Sequence, residues 1–107
     1  WLGDHTGRRA TLVKSAAVHC GNQGYRIRTN AILPGVVETA MITNLIDTSA
    51  DPAAARAAYS GMSPLKRMAT VEEVAGLVAW LSSDEAAFVS GSEYVIDGAT
   101  TAGMMGV

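Results

Sequence analysis

The sequence predicts an α/β fold in which helices flank a small parallel sheet. A helical apolar pattern precedes an apolar run that stops at Pro34-Gly35, and a capped helix and a second strand, at about 93–97, follow. Helices that alternate with strands indicate α/β layering, and a helix between two parallel strands implies a right-handed crossover. Two strands are few for an independent sheet, so the chain is expected to be the closing third of a doubly wound domain.

Composition limits the function classes. The 107 residues suffice for one domain, are 49% hydrophobic and 17% charged, and have a net charge of −2. The low charged share is typical of a piece of a larger sheet protein or of a subunit with an apolar interface. No basic run exceeds Arg8-Arg9, which argues against nucleic-acid binding. No signal peptide or apolar run of about 18 residues is visible, so we expect no membrane segment and a cytoplasmic location.

The first helix is predicted at about residues 10–20. Apolar residues repeat there at helical spacing on one face: Leu12, Val13, Ala16, Ala17 and Cys20. Gly21 and Gly24 can supply the left-handed conformation that ends a helix. Cys20, the single cysteine, is interpreted as a small buried hydrophobe. Residues 1–9 show neither helical nor strand periodicity and are predicted to be irregular.

The first strand is predicted at about residues 25–33. Its apolar end, Ala31 to Leu33, favours burial on both faces, as in parallel sheets. Pro34 lacks an N–H and is expected to end the pairing. Ligands of open α/β sheets bind beyond the carboxyl ends of strands, so the loop after this strand is a candidate site.

Residues 39–64 are predicted to form a mobile lid, with an ordinary helical crossover as the alternative. Asp51-Pro52 is a helix-start signal, because Asp can cap a helix and Pro fits its first position. Helix propensity is strong over residues 53–59. Gly61 and Pro64 are expected to bound this helix.

A further helix is predicted at about residues 71–83. Thr70 and Glu73 match a capping box. Apolar residues then follow at i, i+3, i+4 and i+7: Val74, Leu77, Val78 and Leu81. Beyond this helix, a turn at Ser90-Gly91 precedes the strand predicted at 93–97, and the tail from Ala99 has no assigned structure.

Three motifs, in this order, resemble the C-terminal part of short-chain dehydrogenases/reductases. They are Arg28-x-Asn30-x-x-x-Pro34-Gly35-x-x-x-Thr39, then Met68 through the capped helix to Leu81-Ser82-Ser83-Asp84, and Ser90-Gly91-Ser92-Glu93 leading to Val95-Ile96-Asp97-Gly98. The resemblance covers residues 10–107, departs from the family pattern over 1–9, and implies a Rossmann-type doubly wound parallel sheet. Residues 19–28 and the Ser90-Gly91-Ser92-Glu93 turn are most similar to hydroxysteroid and cyclic-alcohol dehydrogenases.

The resemblance implies a nicotinamide site in the loop after the first strand. In the family, hydride passes between NAD or NADP and a secondary alcohol or ketone. The main chain at Val37 and the hydroxyl and main chain at Thr39 are implied to hold the carboxamide, and Pro34-Gly35 to let the backbone approach the ring. The alternative is that Pro34-Gly35 merely stops the strand and Thr39 caps a helix.

The segment from residue 40 to about 64 corresponds to the family's variable substrate loop. Its implied apolar lining consists of Met41, Ile42, Leu45 and Ile46. The alternative is that these side chains pack the loop onto its own body. Arg28 and Asn30 are expected to be structural. No metal site is predicted, because His19-Cys20 lacks further ligands at usable spacing.

The catalytic groups of the family are not found. The family uses a Tyr acid/base and a Lys four residues later that lowers the pKa of the Tyr. The aligned positions hold Leu2 and Thr6, so no catalytic residue is assigned and the chain alone is expected to be inactive. No Gly-rich phosphate turn precedes a strand–helix unit, and Met104-Met105-Gly106 is not one. A gene fragment, a frame-altered product and a genuine short protein remain alternatives.

Two rival hypotheses remain. The first is an interaction module, because the helix at 71–83 and the strand at 93–97 commonly build a subunit interface in the family, here between copies of this chain. The second is an unrelated small α/β domain. In the dehydrogenase hypothesis the partner is a small-molecule alcohol or ketone.

Overall fold

The computed structural model describes residues 2–103, and the side chains of residues 8 and 10–103. Along this part of the chain lie four α-helices, a short 3-10 helix and two strands. Their bounds are α1 Leu2–Asn22, β1 Ala31–Pro34, α2 Ala40–Asp47, α3 Pro52–Ser60, α4 Val71–Leu81, the 3-10 helix Asp84–Ala86 and β2 Glu93–Ile96. Trp1 and the predicted tail end, Met104-Met105-Gly106, lie outside the described residues.

The chain forms two compact units. The first consists of the described residues up to Leu33 together with Leu77–Val95, and the second of Pro34–Gly76 together with the residues from Ile96 onwards. Buried apolar side chains of the first unit are Ala10, Leu81 and Ala86, and those of the second are Ile46 and Met68.

The two strands are neighbours in one sheet. The Ala31 N–H donates to the Ser92 carbonyl at 2.9 Å, and the Gly35 N–H donates to the Ile96 carbonyl at 3.0 Å. Both partners advance by four residues in the same direction, so the pair is parallel. The predicted α/β class with two parallel strands is confirmed.

The first strand is shorter and later than the predicted 25–33. Its neighbour before β2 is a turn in which Gly91 has a φ of +76°, and a turn cannot offer a regular ladder. Arg28 Nη1 and Asn30 Nδ2 instead donate to the Val89 carbonyl at 3.2 and 3.0 Å. Pairing also continues past Pro34, because alternate residues of a strand direct their N–H groups to opposite sides and the nitrogen of Pro34 faces away from β2.

Helix α1 begins at Leu2, so the prediction of an irregular segment over residues 1–9 is wrong for residues 2–9. Adding a residue to the end of an existing helix costs little free energy, and no proline interrupts this stretch, so the helix extends without an apolar periodic pattern. The predicted ending is confirmed: Gly24 has a φ of +73°, the Gly24 N–H donates to Gly21, and the Tyr25 N–H donates to Cys20. This pair of bonds is a Schellman motif. Cys20 is half-buried rather than buried.

The predicted start signals of α3 and α4 are confirmed. Asp51 Oδ1 accepts the Ala54 N–H at 3.1 Å, and Pro52 occupies the first turn of α3. The Thr70 N–H donates to Glu73 Oε1 at 2.9 Å, and the Glu73 N–H donates to Thr70 Oγ1 at 3.1 Å, which completes the capping box of α4.

Helix α4 ends at Leu81, two residues before the predicted end. The hydroxyls of Ser82 and Ser83 donate to the carbonyls of Val78 and Trp80 at 2.8 and 2.6 Å. The N–H groups of Ser82 and Ser83 donate to the same two carbonyls at 3.0 Å, so each serine adds a side-chain bond to a backbone bond at the helix end. No helix of the described residues is long and apolar enough to span a bilayer.

Candidate functional site

The candidate site is the loop from Pro34 to Thr39, which we call the β1 loop and which lies in the second unit. Its glycine sits against the residue that follows β2. A Cβ added at Gly35 would lie 2.9 Å from both Cα and Cβ of Asp97. This separation is too short for any side chain, so the close approach of the two backbones requires glycine here.

Val37 lies at the centre of the β1 loop and forms an isolated parallel bridge with Ala69. The bridge uses the groups on either side of Val37: the Ala69 N–H donates to Val36 at 2.9 Å, and the Glu38 N–H donates to Ala69 at 2.8 Å. The N–H and C=O of Val37 therefore face away from Ala69. The C=O accepts the Thr39 N–H at 2.8 Å, whereas the Val37 N–H donates to no residue of the described part of the chain.

Thr39 ends the β1 loop and caps α2. Its Oγ1 accepts the Ile42 N–H at 3.3 Å, and its backbone is extended, with φ −92° and ψ 169°. Helix capping, the alternative role considered for this residue, is thus present. A threonine hydroxyl has one donor hydrogen and two lone pairs, and the cap uses one lone pair. The cap therefore leaves polar capacity at Oγ1 for a ligand.

Glu38, between these two residues, is paired with α3. Arg56 Nη1 and Nη2 donate to the two carboxylate oxygens of Glu38 at 3.0 and 3.1 Å. Hydrogen bonding and the positive charge of Arg56 lower the pKa of Glu38 below its usual value. The carboxylate is therefore ionised at neutral pH, and its two-bond contact links the β1 loop to a helix 18 residues further along the chain.

The predicted lid segment contains two helices, α2 and α3, which contact each other. On α2, Met41 is 69% exposed and Leu45 is 49% exposed. Their i, i+4 spacing places them on one face of the helix. Ile42 is half-buried, and Ile46 is only 2% exposed. Ile46 therefore packs into the interior of its own unit rather than lining a substrate surface, as the packing alternative supposed.

The loop after β2, residues 97–101, satisfies most of its polar groups internally, and its Thr100 hydroxyl also lies 3.2 Å from the Met62 carbonyl. Asp97 Oδ1 accepts the Ala99 N–H at 3.0 Å, and Oδ2 accepts the N–H and the hydroxyl of Thr101 at 3.1 and 2.7 Å. The Thr100 hydroxyl donates to the Asp97 carbonyl at 2.6 Å. Gly98 and Ala99 both have positive φ, at +60° and +74°. Sequence analysis missed this arrangement, although Asp97-Gly98 is a turn signal.

Several predicted roles outside the β1 loop can also be located. Asn30 Oδ1 accepts the Ser92 N–H at 3.0 Å, and together with the bonds to Val89 this is the structural role expected for Arg28 and Asn30. Among residues 2–103, no group of His, Cys, Asp and Glu could hold a metal ion. The backbone of α1 includes Leu2 and Thr6, the positions aligned with the family's Tyr and Lys. Their side chains lie outside those that the structure describes.

Comparison with known proteins places this α/β arrangement in a class of oxidoreductases. Residues 9–101 match the family profile described as enoyl-(acyl carrier protein) reductase. The chain is 44% identical over 87 residues to "Dehydrogenase/reductase SDR family member 6" of Xenopus laevis, covering 81% of this chain and 35% of that protein. It is 41% identical over 93 residues to "Cis-4-hydroxycyclohexanecarboxylate dehydrogenase" of Sinomonas cyclohexanicum, covering 87% and 34%.

Solved structures agree with the sequence matches. A short chain dehydrogenase family protein from Francisella tularensis superposes with a TM-score of 0.80 and 35% identity, covering 91% of this chain and 41% of that one. A 4-hydroxyisoleucine dehydrogenase complexed with NADH gives a TM-score of 0.75 at 28% identity, covering 92% and 38%. The chain belongs to the short-chain dehydrogenase/reductase family. It spans about a third of the length of the curated relatives it matches.

Proposed function

We propose that this chain is the nicotinamide-contacting part of an NAD(P)-dependent short-chain oxidoreductase. The observation that supports the proposal is the pair of unused polar groups in the β1 loop, the Val37 N–H and a lone pair of Thr39 Oγ1. The NADH complex of the related 4-hydroxyisoleucine dehydrogenase agrees with this cofactor class.

The donor and acceptor set fits a nicotinamide carboxamide. A primary amide presents a carbonyl oxygen that accepts hydrogen bonds and an NH2 group that donates them. The Val37 N–H can donate to such an oxygen, and Thr39 Oγ1 can accept from the NH2 group. Pro34 and Gly35 set the path of the loop without a bulky side chain at its tightest point. When bound, the cofactor supplies a hydride donor or acceptor at nicotinamide C4.

The substrate class we propose is a secondary alcohol or ketone with an apolar ring. Met41 and Leu45 are exposed on α2, directly after Thr39, and offer apolar surface near the proposed cofactor contacts. Relatives with cyclic alcohols in their names, a cis-4-hydroxycyclohexanecarboxylate dehydrogenase and a cyclohexanol dehydrogenase, favour the same class.

Titration with nicotinamide mononucleotide, followed by NMR of the isotope-labelled chain, tests the cofactor assignment. Amide shifts are expected to cluster at Val37 and Thr39. Thr39→Val keeps the side-chain shape but removes the hydroxyl, and it should weaken these shifts. Thr48→Val is the matched control, since the Thr48 hydroxyl donates to Asn44 at the other end of α2. Shifts confined to residues 97–101, or no shifts, would contradict the assignment.

We further propose that the chain alone has no dehydrogenase activity. At the positions that align with the acid/base pair of the family, Leu2 has no ionisable proton and Thr6 has no positive charge. Incubation with NAD or NADP and a panel of cyclic alcohols should give no increase in the near-ultraviolet absorbance of the reduced cofactor. Turnover clearly above a buffer control would refute this part of the proposal.

The second candidate function is an interaction module, for which the first unit offers a specific observation. Trp80 of α4 contacts Tyr94 of β2 edge to face, with ring centroids 6.1 Å apart, yet Trp80 remains 37% exposed. Val78 and Val95, on the same two elements, are 46% and 55% exposed. Trp and Tyr are enriched at protein interfaces, so this partly exposed aromatic pair favours a docking role. Size-exclusion chromatography with light scattering should show a dimer or larger species, and a clean monomer would oppose this candidate.

A further inference from the structure

We propose that Arg56 is a positioning residue for the β1 loop, which it holds in its ligand-ready form through Glu38. This inference rests on the proposed function, because the ligand concerned is the nicotinamide end of the cofactor. Arg56 lies on α3 and contacts the loop only at the residue between the two proposed cofactor contacts.

Glu38 is fixed from two directions. Its backbone N–H donates to the Ala69 carbonyl at 2.8 Å, and its carboxylate accepts two parallel bonds from Arg56 at 3.0 and 3.1 Å. Fixing both groups restricts rotation of the peptide planes on either side of Glu38. Those planes include the C=O of Val37 and the N–H of Thr39. The proposed cofactor contacts, the Val37 N–H and Thr39 Oγ1, belong to the residues on either side, so the pair restrains the backbone next to both contacts without holding either group directly.

The contact between Arg56 and Glu38 requires a planar group with two parallel N–H donors, which we call a fork. Two parallel N–H···O bonds to one carboxylate match the guanidinium of arginine, whereas the ammonium of lysine is a compact charge that cannot reproduce both bonds in fixed directions. The pair is partly exposed, at 45% for the Arg56 side chain and 37% for that of Glu38. Exposed ion pairs add little to global stability. A local effect on the loop is therefore expected to exceed the effect on unfolding.

The chain contains its own control for this interpretation. Arg67 donates two bonds to Glu73 at 2.7 and 2.8 Å, in the same forked geometry and with similar exposure. Glu73, however, caps its own helix, and the pair spans only six residues. Removing Arg67 removes an equivalent fork that makes no direct contact with the β1 loop. Arg67 Nη1 also donates to the Met68 carbonyl at 3.1 Å, in the peptide unit that carries the Ala69 N–H, so the Glu38 amide is the readout that separates the two pairs. An effect specific to Arg56 must come from the position of the pair rather than from loss of a charge.

The test compares R56K, R56Q, the swapped double variant E38R/R56E and the control R67Q. Hydrogen exchange at the Glu38 amide, measured without ligand, reports the order of the loop. In R56Q and R56K this amide should exchange about two- to fivefold faster, the range that corresponds to an exposed ion pair. R67Q should leave it unchanged, and E38R/R56E should restore much of the protection.

The affinity for nicotinamide mononucleotide, measured by NMR on the same variants, is the second readout. It should weaken in R56Q and R56K by about the same factor as the exchange changes, and stay constant in R67Q. Unchanged exchange in R56Q, or equal changes in R56Q and R67Q, would overturn the positioning role of Arg56. A wild-type chain that shows no response to the mononucleotide would instead overturn the cofactor assignment, so the two failures are distinguishable.

Discussion

The two strands are parallel, so their following loops leave the same edge of the sheet, yet the loops use their polar groups differently. The loop after β2 makes most of its bonds within itself: one carboxylate, that of Asp97, accepts three hydrogen bonds from the four residues that follow. Its Thr100 hydroxyl also reaches the Met62 carbonyl, outside the loop. The β1 loop is held by residues outside it, with Ala69 on its backbone, Arg56 on its carboxylate and Asp97 against its glycine.

This difference separates a structural turn from a candidate site. A loop that uses its donors and acceptors in internal hydrogen bonds has few left for a ligand, and binding a ligand there would require breaking those bonds. A loop that is held in place by residues outside it can stay ordered while some of its backbone groups have no hydrogen-bond partner. The Val37 N–H is such a group. Position at the carboxyl end of a strand is therefore not sufficient for a ligand site, and the hydrogen-bond partners decide between the two loops.

The largest expected effect comes from filling the contact between the two loops. Gly35→Ala places a Cβ 2.9 Å from the Cα of Asp97, which is backbone and cannot move aside as a side chain can. Overpacking of this kind costs about 1–3 kcal/mol. The free energy of unfolding, measured by urea denaturation with circular dichroism, should fall by this amount.

Gly76→Ala provides the control for that substitution. Gly76 lies in the interior of α4, and nothing lies within 4 Å of an added Cβ. Alanine is favoured over glycine in a helix by about 0.5–1 kcal/mol, so this variant should be more stable than the wild type. Equal stability of Gly35→Ala and the wild type would contradict the close approach of the two loops.

The next effect should follow from removing the carboxylate that orders the loop after β2. Asp97→Ala leaves three donors to be satisfied by water, and because Ala99 and Thr101 are exposed we expect a loss of about 1 kcal/mol rather than a full desolvation penalty. NMR should show amide shifts at residues 98–101 and small ones at Val37 and Thr39. Large shifts at Val37 would mean that the two loops are not held independently, and Asp97→Asn should give an intermediate loss.

Much of the fold could be predicted because its signals are local. The capping box of Thr70 and Glu73 and the Asp51-Pro52 start are set by hydrogen bonds between residues three apart, and periodicity alone separates helix from strand. The predicted parallel direction followed from the helix between the strands. Errors lie where residues distant in sequence decide: β1 lacks the first two-thirds of its predicted range because the segment opposite is a turn.

The site was predictable only in part, for the same reason. Pro34-Gly35 and Thr39 could be identified as a loop worth attention, but the contact of Gly35 with Asp97 and the bond from Arg56 to Glu38 join distant parts of the chain. No periodicity or motif encodes such pairs. The sequence left open whether Ile46 lines a substrate surface or packs onto the loop, because an apolar residue in a helix has no local signal that distinguishes core from solvent.

A smaller, stabilising effect is expected in the loop after β2. Ala99 is exposed and has a φ of +74°, a conformation in which its Cβ crowds the backbone. Ala99→Gly removes this strain and keeps the N–H that donates to Asp97. We expect a net gain of about 0.5–1 kcal/mol in urea unfolding, since glycine also loses more chain entropy on folding. A loss of stability would show that the positive φ is not strained.

The smallest effect concerns Glu73, whose fork with Arg67 lies outside both loops. Bonds from Arg67 and from the Thr70 N–H lower the pKa of Glu73 from 4.5 to about 2. Because the folded pKa lies below the unfolded one, the ionised carboxylate stabilises the fold above about pH 4.5, and this contribution is lost as the pH falls towards 2. Between about pH 5 and pH 2.5, the urea midpoint of the wild type should therefore fall slightly more than that of Glu73→Gln. The side chain is exposed, so solvent screening keeps the difference small.

Two results would show that the bonds between Arg67 and Glu73 do not persist in solution: a carboxyl carbon resonance of Glu73 that titrates near 4.5, or parallel pH profiles of the two proteins. The bonds between Arg56 and Glu38, which have the same geometry, would then be in doubt as well.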